Sequence, residues 1–88
     1  MKRYAIIGSG RQGTAAAYDI VKFASPKSLT IIDISLENLN KCKNLIKKLT
    51  GTDINTMELD INNSANLIEA LKDVDIFLSS VPYPLNPY

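Results

Sequence analysis

The sequence has 88 residues, of which 45% are hydrophobic and 22% charged, and its net charge is +1. This is the composition of one ordinary globular domain, and it gives no reason to expect a nucleic-acid partner. No apolar stretch approaches the ~18–20 residues of a membrane span, so we expect no membrane association and a cytoplasmic protein. Histidine is absent and Cys42 is the single cysteine. The usual zinc sites and histidine-based acid–base chemistry are therefore excluded, and we expect no metal site.

Strands and helices are predicted to alternate along the chain. Apolar runs predict strands at residues 2–7, 29–32, 53–60 and 76–78. Helical periodicity predicts helices at residues 11–24, 35–51 and 64–72. Ser35 is expected to cap the second helix and Gly51 to end it, and Asn63 or Ser64 to cap the third. This alternation predicts an α/β fold with a Rossmann-like parallel sheet, four strands in the order 3-2-1-4 and three helices. Such a unit is half of a doubly wound dinucleotide-binding domain.

The apolar spacing also predicts which helix residues are buried. In the first helix, Ile20 and Phe23 fall on the expected inner face. The second helix carries a longer apolar stripe, formed by Leu36, Leu39, Cys42, Leu45, Ile46 and Leu49. In the third helix the inward residues are predicted to be Leu67, Ile68 and Leu71.

A glycine pattern lies between the first strand and the first helix. Gly8, Gly10 and Gly13 have the G-x-G-x-x-G spacing of a dinucleotide-binding turn, in the strand–turn–helix context that the motif requires. Gly8 permits the tight turn, Gly10 permits close approach of a pyrophosphate, and Gly13 permits close packing of helix on strand. The amides that open the helix then form an anion site, to which Ser9, Arg11 and Gln12 contribute backbone donors. The alternative is a tight turn that binds nothing.

An acidic residue follows the second strand. Asp33 lies 20 residues beyond Gly13, where the ribose-binding acid is expected. Its carboxylate would accept hydrogen bonds from ribose hydroxyls and repel the 2′-phosphate of NADP. We therefore expect NAD to be favoured over NADP. Asp33 as a simple turn or helix-capping residue is the alternative.

Further candidate cofactor-binding residues lie where other strands end, because ligands of this fold bind at the carboxyl ends of its strands. Asp60 and Ile61 would lie beside the adenine, although Asp60 is as well explained as a loop residue. The remaining candidates, which follow the second and fourth strands, are Ile34, Ser80, Val81 and Pro82. No catalytic acid or base is identifiable.

Two segments resemble a known family. The glycine segment 8–19 is similar to the opening of saccharopine dehydrogenase-like and lysine dehydrogenase-like oxidoreductases, and segment 79–87 resembles that family's Val-Pro-Tyr-x-x-Asn exit. Residues 33–37 match its acid-then-helix pattern. The resemblance implies reversible oxidation of a carbon–nitrogen bond of a small amino-acid substrate, with NAD or NADP accepting the hydride.

The length suggests part of a larger protein. A complete dinucleotide-binding domain has two such halves. We interpret residues 1–88 as the N-terminal part of an NAD(P)-binding Rossmann domain whose substrate domain is absent from this chain, and expect the chain alone to be inactive. The alternative is a non-catalytic nucleotide-sensing regulatory domain. A free-standing chain would have to cover the edge of its fourth strand, most simply as a homo-oligomer.

Overall fold

Four parallel strands form one sheet, in the order β3-β2-β1-β4. The structure is a computed structural model and describes residues 1–80. The strands are β1 (Arg3–Ile7), β2 (Ser28–Asp33), β3 (Asn55–Glu58) and β4 (Ile76–Ser79). The helices are α1 (Arg11–Asp19), which continues as a π-helical segment (Ile20–Ala24), α2 (Leu36–Thr50) and α3 (Ser64–Leu71). The predicted Rossmann-like fold and strand order are confirmed.

The strand register places all four carboxyl ends at one edge of the sheet. On the central strand, Ile6 lies between Ile31 of β2 and Leu78 of β4. Backbone bonds extend the pairing beyond the strands, since the Ser80 amide donates to the Ile7 carbonyl oxygen at 2.9 Å. The segments that leave the sheet at this edge are therefore held side by side.

The hydrophobic core lies between the sheet and the pair α1 and α2. Ile6 and Ile31 from the sheet are fully buried against helix residues. These helix residues are Ala17, Ile20, Leu39, Cys42 and Ile46. Burial of each large aliphatic side chain stabilises the fold by about 1.5–3 kcal/mol. The core thus fixes α1 against β1, directly behind the glycine turn.

The end of the first helix differs from the prediction. Residues 11–24 are helical throughout, but the last five are π-helical. A π-helix has more residues per turn than an α-helix, which rotates the side chains that follow away from their predicted face. Ile20 is buried as predicted, whereas Phe23 is 75% exposed and was wrongly assigned to the core. The Lys22 ammonium lies 5.6 Å from the Phe23 ring centre.

The other helices bury narrower faces than their apolar stripes predict. A single row of α2 side chains packs toward the sheet. This row consists of Leu39, Cys42 and Ile46, which are buried. The remaining members of that stripe, which lie beside this row, are exposed: Leu36, Leu45 and Leu49. In α3, Leu67 is half-buried and Ile68 is exposed. Strand β3, at the sheet edge, is also shorter than predicted and spans Asn55–Glu58.

The helix ends follow from the capping residues. The side chains of Ser35 and Asn63 accept hydrogen bonds from the amides of Asn38 and Asn66, each at 3.2 Å. Gly51 ends α2 in the left-handed conformation, with φ of 77°. No helix within residues 1–80 has both the length and the apolar character needed to cross a bilayer.

Candidate nucleotide-binding site

The glycine turn connects β1 to α1 at the carboxyl edge of the sheet. Gly8 has φ of 99°, a conformation that other residues adopt only with strain. Its amide donates to the Ile32 carbonyl oxygen at 2.7 Å, which ties the start of the turn to β2. The Thr14 hydroxyl donates to the Ser9 carbonyl oxygen at 3.1 Å and braces the turn from the helix side. The turn is therefore held from both ends.

The amino end of α1 is open for an anion. Gly10 is its N-cap residue and supplies no side-chain cap, and the first turn of the helix contains no acid. The first hydrogen bond of the helix runs from the Thr14 amide to the Gly10 carbonyl oxygen at 2.9 Å. The preceding amides, at residues 11–13, have no helical acceptor and carry the positive end of the helix dipole. A Cβ at Gly10 would have nothing within 4 Å, so the approach to this backbone is clear.

Gly13 has a different role, which is packing. A Cβ at this position would overlap the Gly8 carbonyl oxygen and would lie 2.9 Å from both the Gly8 carbonyl carbon and the Ser80 Oγ. The helix can therefore approach the end of β1 this closely only because residue 13 has no side chain. This close approach is what aims the helix dipole at the space in front of the turn.

Asp33 lies at the end of β2 and contacts the glycine turn. Its Oδ2 accepts hydrogen bonds from the Ser9 amide at 2.8 Å and the Ser9 hydroxyl at 2.6 Å. Its Oδ1 accepts one from the Ser35 amide at 3.0 Å. Burial disfavours the charged carboxylate, but the bonds from Ser9, Ser35 and the Ile34 amide outweigh it and hold the pKa of Asp33 below its ordinary value. At neutral pH the end of β2 therefore carries a fixed negative charge.

The structure places the other candidate residues around this edge. Arg11, Gln12 and Ile34 are exposed beside the turn and the end of β2. Asp60 is exposed, and its Oδ1 accepts a hydrogen bond from the Asn62 amide at 2.9 Å within its own turn. Ile61 is half-buried. The contacts of these five residues with a nucleotide, through the backbone for Arg11 and Gln12, remain predictions. Val81 and Pro82 lie outside the described residues.

Ser80 is also directed into the turn. Its hydroxyl lies 3.1 Å from the Ile7 carbonyl oxygen and 3.0 Å from the Gly8 carbonyl oxygen, and it donates to them. The hydroxyl proton is therefore used by the protein itself, and the side chain links the exit of β4 to the glycine turn. A direct contact of Ser80 with a cofactor remains a prediction.

We expect Ser80→Ala to lower the free energy of unfolding by about 1 kcal/mol, the usual net value of one hydrogen bond. The loss is modest because the Ser80 backbone amide keeps its own bond to Ile7. Urea unfolding measures it, with Ser64→Ala as the control, since Ser64 is exposed at the start of α3. Equal unfolding free energies for the two variants would contradict the structural role of the Ser80 hydroxyl.

A groove of about 550 Å³ begins at the glycine turn and is lined by residues of both α1 and α2. Gly10 and Arg11 lie at its beginning, and the exposed Leu45 and Leu49 line its far part. Lys41 also lines it, with its ammonium 3.3 Å from the Glu37 carboxylate. Leu45 and Leu49, two of the stripe residues that the sheet does not cover, thus line this groove.

A comparison with known protein families assigns this chain to one of them. Residues 4–87 match the family model described as the saccharopine dehydrogenase NADP binding domain. The chain belongs to this family. The predicted family resemblance is thereby confirmed.

A solved structure supports the same assignment. The chain is similar to apo saccharopine dehydrogenase (L-Glu forming) from Saccharomyces cerevisiae, with a TM-score of 0.64 and 25% sequence identity. The match covers 94% of this chain and 17% of the yeast enzyme, so the chain spans a small part of that enzyme's length. A search of curated protein sequences finds no match.

The residues present fit the dinucleotide that the saccharopine dehydrogenase NADP binding domain family is named for. The open backbone at Gly10 and the uncapped start of α1 suit a pyrophosphate, and Asp33 offers an acceptor for a ribose hydroxyl. Sequence reasoning identified these positions but missed the bond between the Ser9 hydroxyl and Asp33. These residues are 24 positions apart. The one signal for the bond in the sequence was the hydroxyl of Ser9 within the glycine motif, which can donate a hydrogen bond.

Proposed function

We propose that this chain is the dinucleotide-binding portion of an amino-acid dehydrogenase that oxidises a carbon–nitrogen bond. The observation that carries the proposal is the glycine turn with its open Gly10, together with membership of the saccharopine dehydrogenase NADP binding domain family. The bound cofactor supplies the hydride acceptor. Because the chain covers only 17% of the yeast enzyme, we place the substrate domain and the catalytic groups elsewhere in a longer protein.

The chain's own residues would bind and orient the adenosine half of the cofactor. In this proposal the amides at residues 11–13 hold the pyrophosphate, and Gly10 allows it to approach. Asp33 accepts a hydrogen bond from the adenosine ribose. Ile34, exposed next to Asp33, offers apolar surface to the adenine. A nucleotide-sensing regulatory domain would use the same contacts, and the family membership is what favours a dehydrogenase.

We further propose that the chain prefers NAD to NADP, although its family is described by NADP. Asp33 is held in its ionised form by three donors from Ser9 and Ser35. A 2′-phosphate placed on the same ribose would meet a like charge that is not free to withdraw. Two cations of the kind that would attract a 2′-phosphate, Arg11 and Lys41, line the nearby groove. The Lys41 ammonium, however, is already paired with the Glu37 carboxylate.

Calorimetric titration with NAD and with NADP tests this proposal. We expect NAD to bind the wild-type chain more tightly, and Asp33→Ala to weaken NAD binding by about tenfold, the value of one hydrogen bond to a charged group. The same substitution should leave NADP binding unchanged or strengthen it, because a repulsive charge is removed.

The matched control is Asp53→Ala, which removes one negative charge from an exposed side chain outside the candidate site. It should leave both affinities unchanged. Thermal unfolding of each variant shows whether the chain is still folded, since Asp33→Ala also removes the partner of the buried Ser9 hydroxyl. NAD binding that Asp33→Ala does not weaken would contradict the role of Asp33.

A further inference from the structure

Ser9 is the polar residue that the fold buries at the centre of the glycine turn. It is 4% exposed, and within residues 1–80 it is the single polar or charged residue in the buried class. Both its amide and its hydroxyl donate to the same oxygen, Oδ2 of Asp33, at 2.8 and 2.6 Å. The hydroxyl bond is short, as is typical when the acceptor is charged. Both donors of Ser9, including the amide that the sequence predicted for the anion site, are therefore committed to Asp33.

This pairing determines which oxygen Asp33 can offer. An ionised carboxylate has about two acceptor positions on each oxygen. Ser9 fills both positions on Oδ2, whereas Oδ1 accepts a bond from the Ser35 amide at 3.0 Å and none from Ser9. The Ile34 amide also helps to hold the carboxylate. In this proposal Oδ1, the oxygen that Ser9 does not occupy, is the one that faces a ribose hydroxyl. The carboxylate is anchored on one side by the glycine turn and on the other by the start of α2.

We propose that Ser9 is a positioning residue that sets cofactor selectivity by locking the Asp33 carboxylate across the glycine turn. The inference rests on the proposed function. A locked carboxylate presents Oδ1 to a ribose hydroxyl in a constant orientation, which lowers the ordering cost of binding NAD. The same carboxylate is unable to turn away from a 2′-phosphate, so NADP meets the full repulsion. The Ser9 hydroxyl bond also helps keep the pKa of Asp33 low, so that the locked group is charged.

Ser9→Ala tests the inference, because it removes the hydroxyl and leaves the backbone amide bond to Asp33. We expect NAD to bind more weakly and NADP to bind equally or more tightly. The ratio of the NADP to the NAD dissociation constant should fall by about fivefold. This is less than the full value of a charge-assisted hydrogen bond, since the backbone donors of Ser9, Ile34 and Ser35 still hold the carboxylate.

A mutant cycle separates positioning from a general structural effect. In the Asp33→Asn background, Ser9→Ala should leave the ratio of the two dissociation constants unchanged, because Ser9 acts through the Asp33 charge. The control is Thr14→Val, which removes another hydroxyl that braces the same turn, by its bond to the Ser9 carbonyl oxygen. It should lower the unfolding temperature without changing the ratio. Thermal unfolding of every variant is recorded alongside the titrations.

The outcomes distinguish this inference from the proposed function. An NAD-selective wild-type chain whose ratio is unchanged in a folded Ser9→Ala variant overturns the role of Ser9 alone. A fall of equal size in the Asp33→Asn background does the same, since Ser9 would then act without Asp33. A folded wild-type chain that binds neither dinucleotide, or prefers NADP, overturns the inference together with the proposed binding or its proposed selectivity.

Discussion

Gly13→Ala is expected to destabilise the fold by about 3 kcal/mol, at the upper end of overpacking costs. The new Cβ would overlap the Gly8 carbonyl oxygen and lie 2.9 Å from the Gly8 carbonyl carbon. These are backbone atoms, and Gly8 is tied to β2 by the bond from its amide to the Ile32 carbonyl oxygen. Helix α1 must therefore move away from β1, which opens the core at Ala17. For a domain of this size, the unfolding temperature should fall by roughly 12–24 °C.

Thermal unfolding followed by circular dichroism measures the Gly13→Ala effect. The matched control is Gly10→Ala, the same chemical change three residues earlier in the turn. At that position the added Cβ has nothing within 4 Å, and the backbone is extended with a negative φ of −67°, so alanine meets no left-handed strain there. An unfolding temperature for Gly13→Ala that equals the wild-type value would contradict the close packing of α1 on the turn.

Gly10→Ala is expected to leave the chain folded and to weaken dinucleotide binding by about thirtyfold, or roughly 2 kcal/mol. The clear space in front of Gly10 is where a pyrophosphate would approach the amides that open α1. A methyl group there keeps the phosphate oxygens away from those amides. Distance weakens both the hydrogen bonds and the attraction of the helix dipole. The lost binding free energy should therefore be that of the phosphate contacts.

Calorimetric titration with NAD measures the Gly10→Ala effect, and adenosine serves as the comparison ligand, with its weaker binding followed by NMR. Adenosine lacks phosphate groups, so its affinity should be nearly the same for the wild-type chain and the variant. An unchanged NAD affinity would show that Gly10 does not border the phosphate site. Equal losses for NAD and adenosine would point to a general distortion of the turn instead.

Much of the fold follows from local sequence. The capping bonds of Ser35 and Asn63 and the left-handed Gly51 appear where the sequence predicts them. Such contacts span only a few residues, so the types of neighbouring residues determine them. The strand order also followed from the alternation of strands and helices, because right-handed crossovers leave few arrangements.

Side-chain burial on the helices required the tertiary structure. Phe23 and Ile68 continue apolar patterns that predict burial, yet both are exposed. A periodic pattern shows that one face is apolar but not how wide the contact with the sheet is. The π-helical segment before Ser25 changes the direction in which the Phe23 side chain points. A prediction that assumes 3.6 residues per turn misses that change.

The parallel α/β fold, the glycine turn and the acid at the end of β2 could be predicted from the sequence, since each depends on local propensity and spacing. The contacts that these residues make became visible in the folded chain. The bond from Ser9 to Asp33 and the meeting of Ser80 with Gly8 join positions 24 and 72 residues apart. Such contacts arise when the sheet aligns the ends of its strands, and no pattern within a single element specifies them.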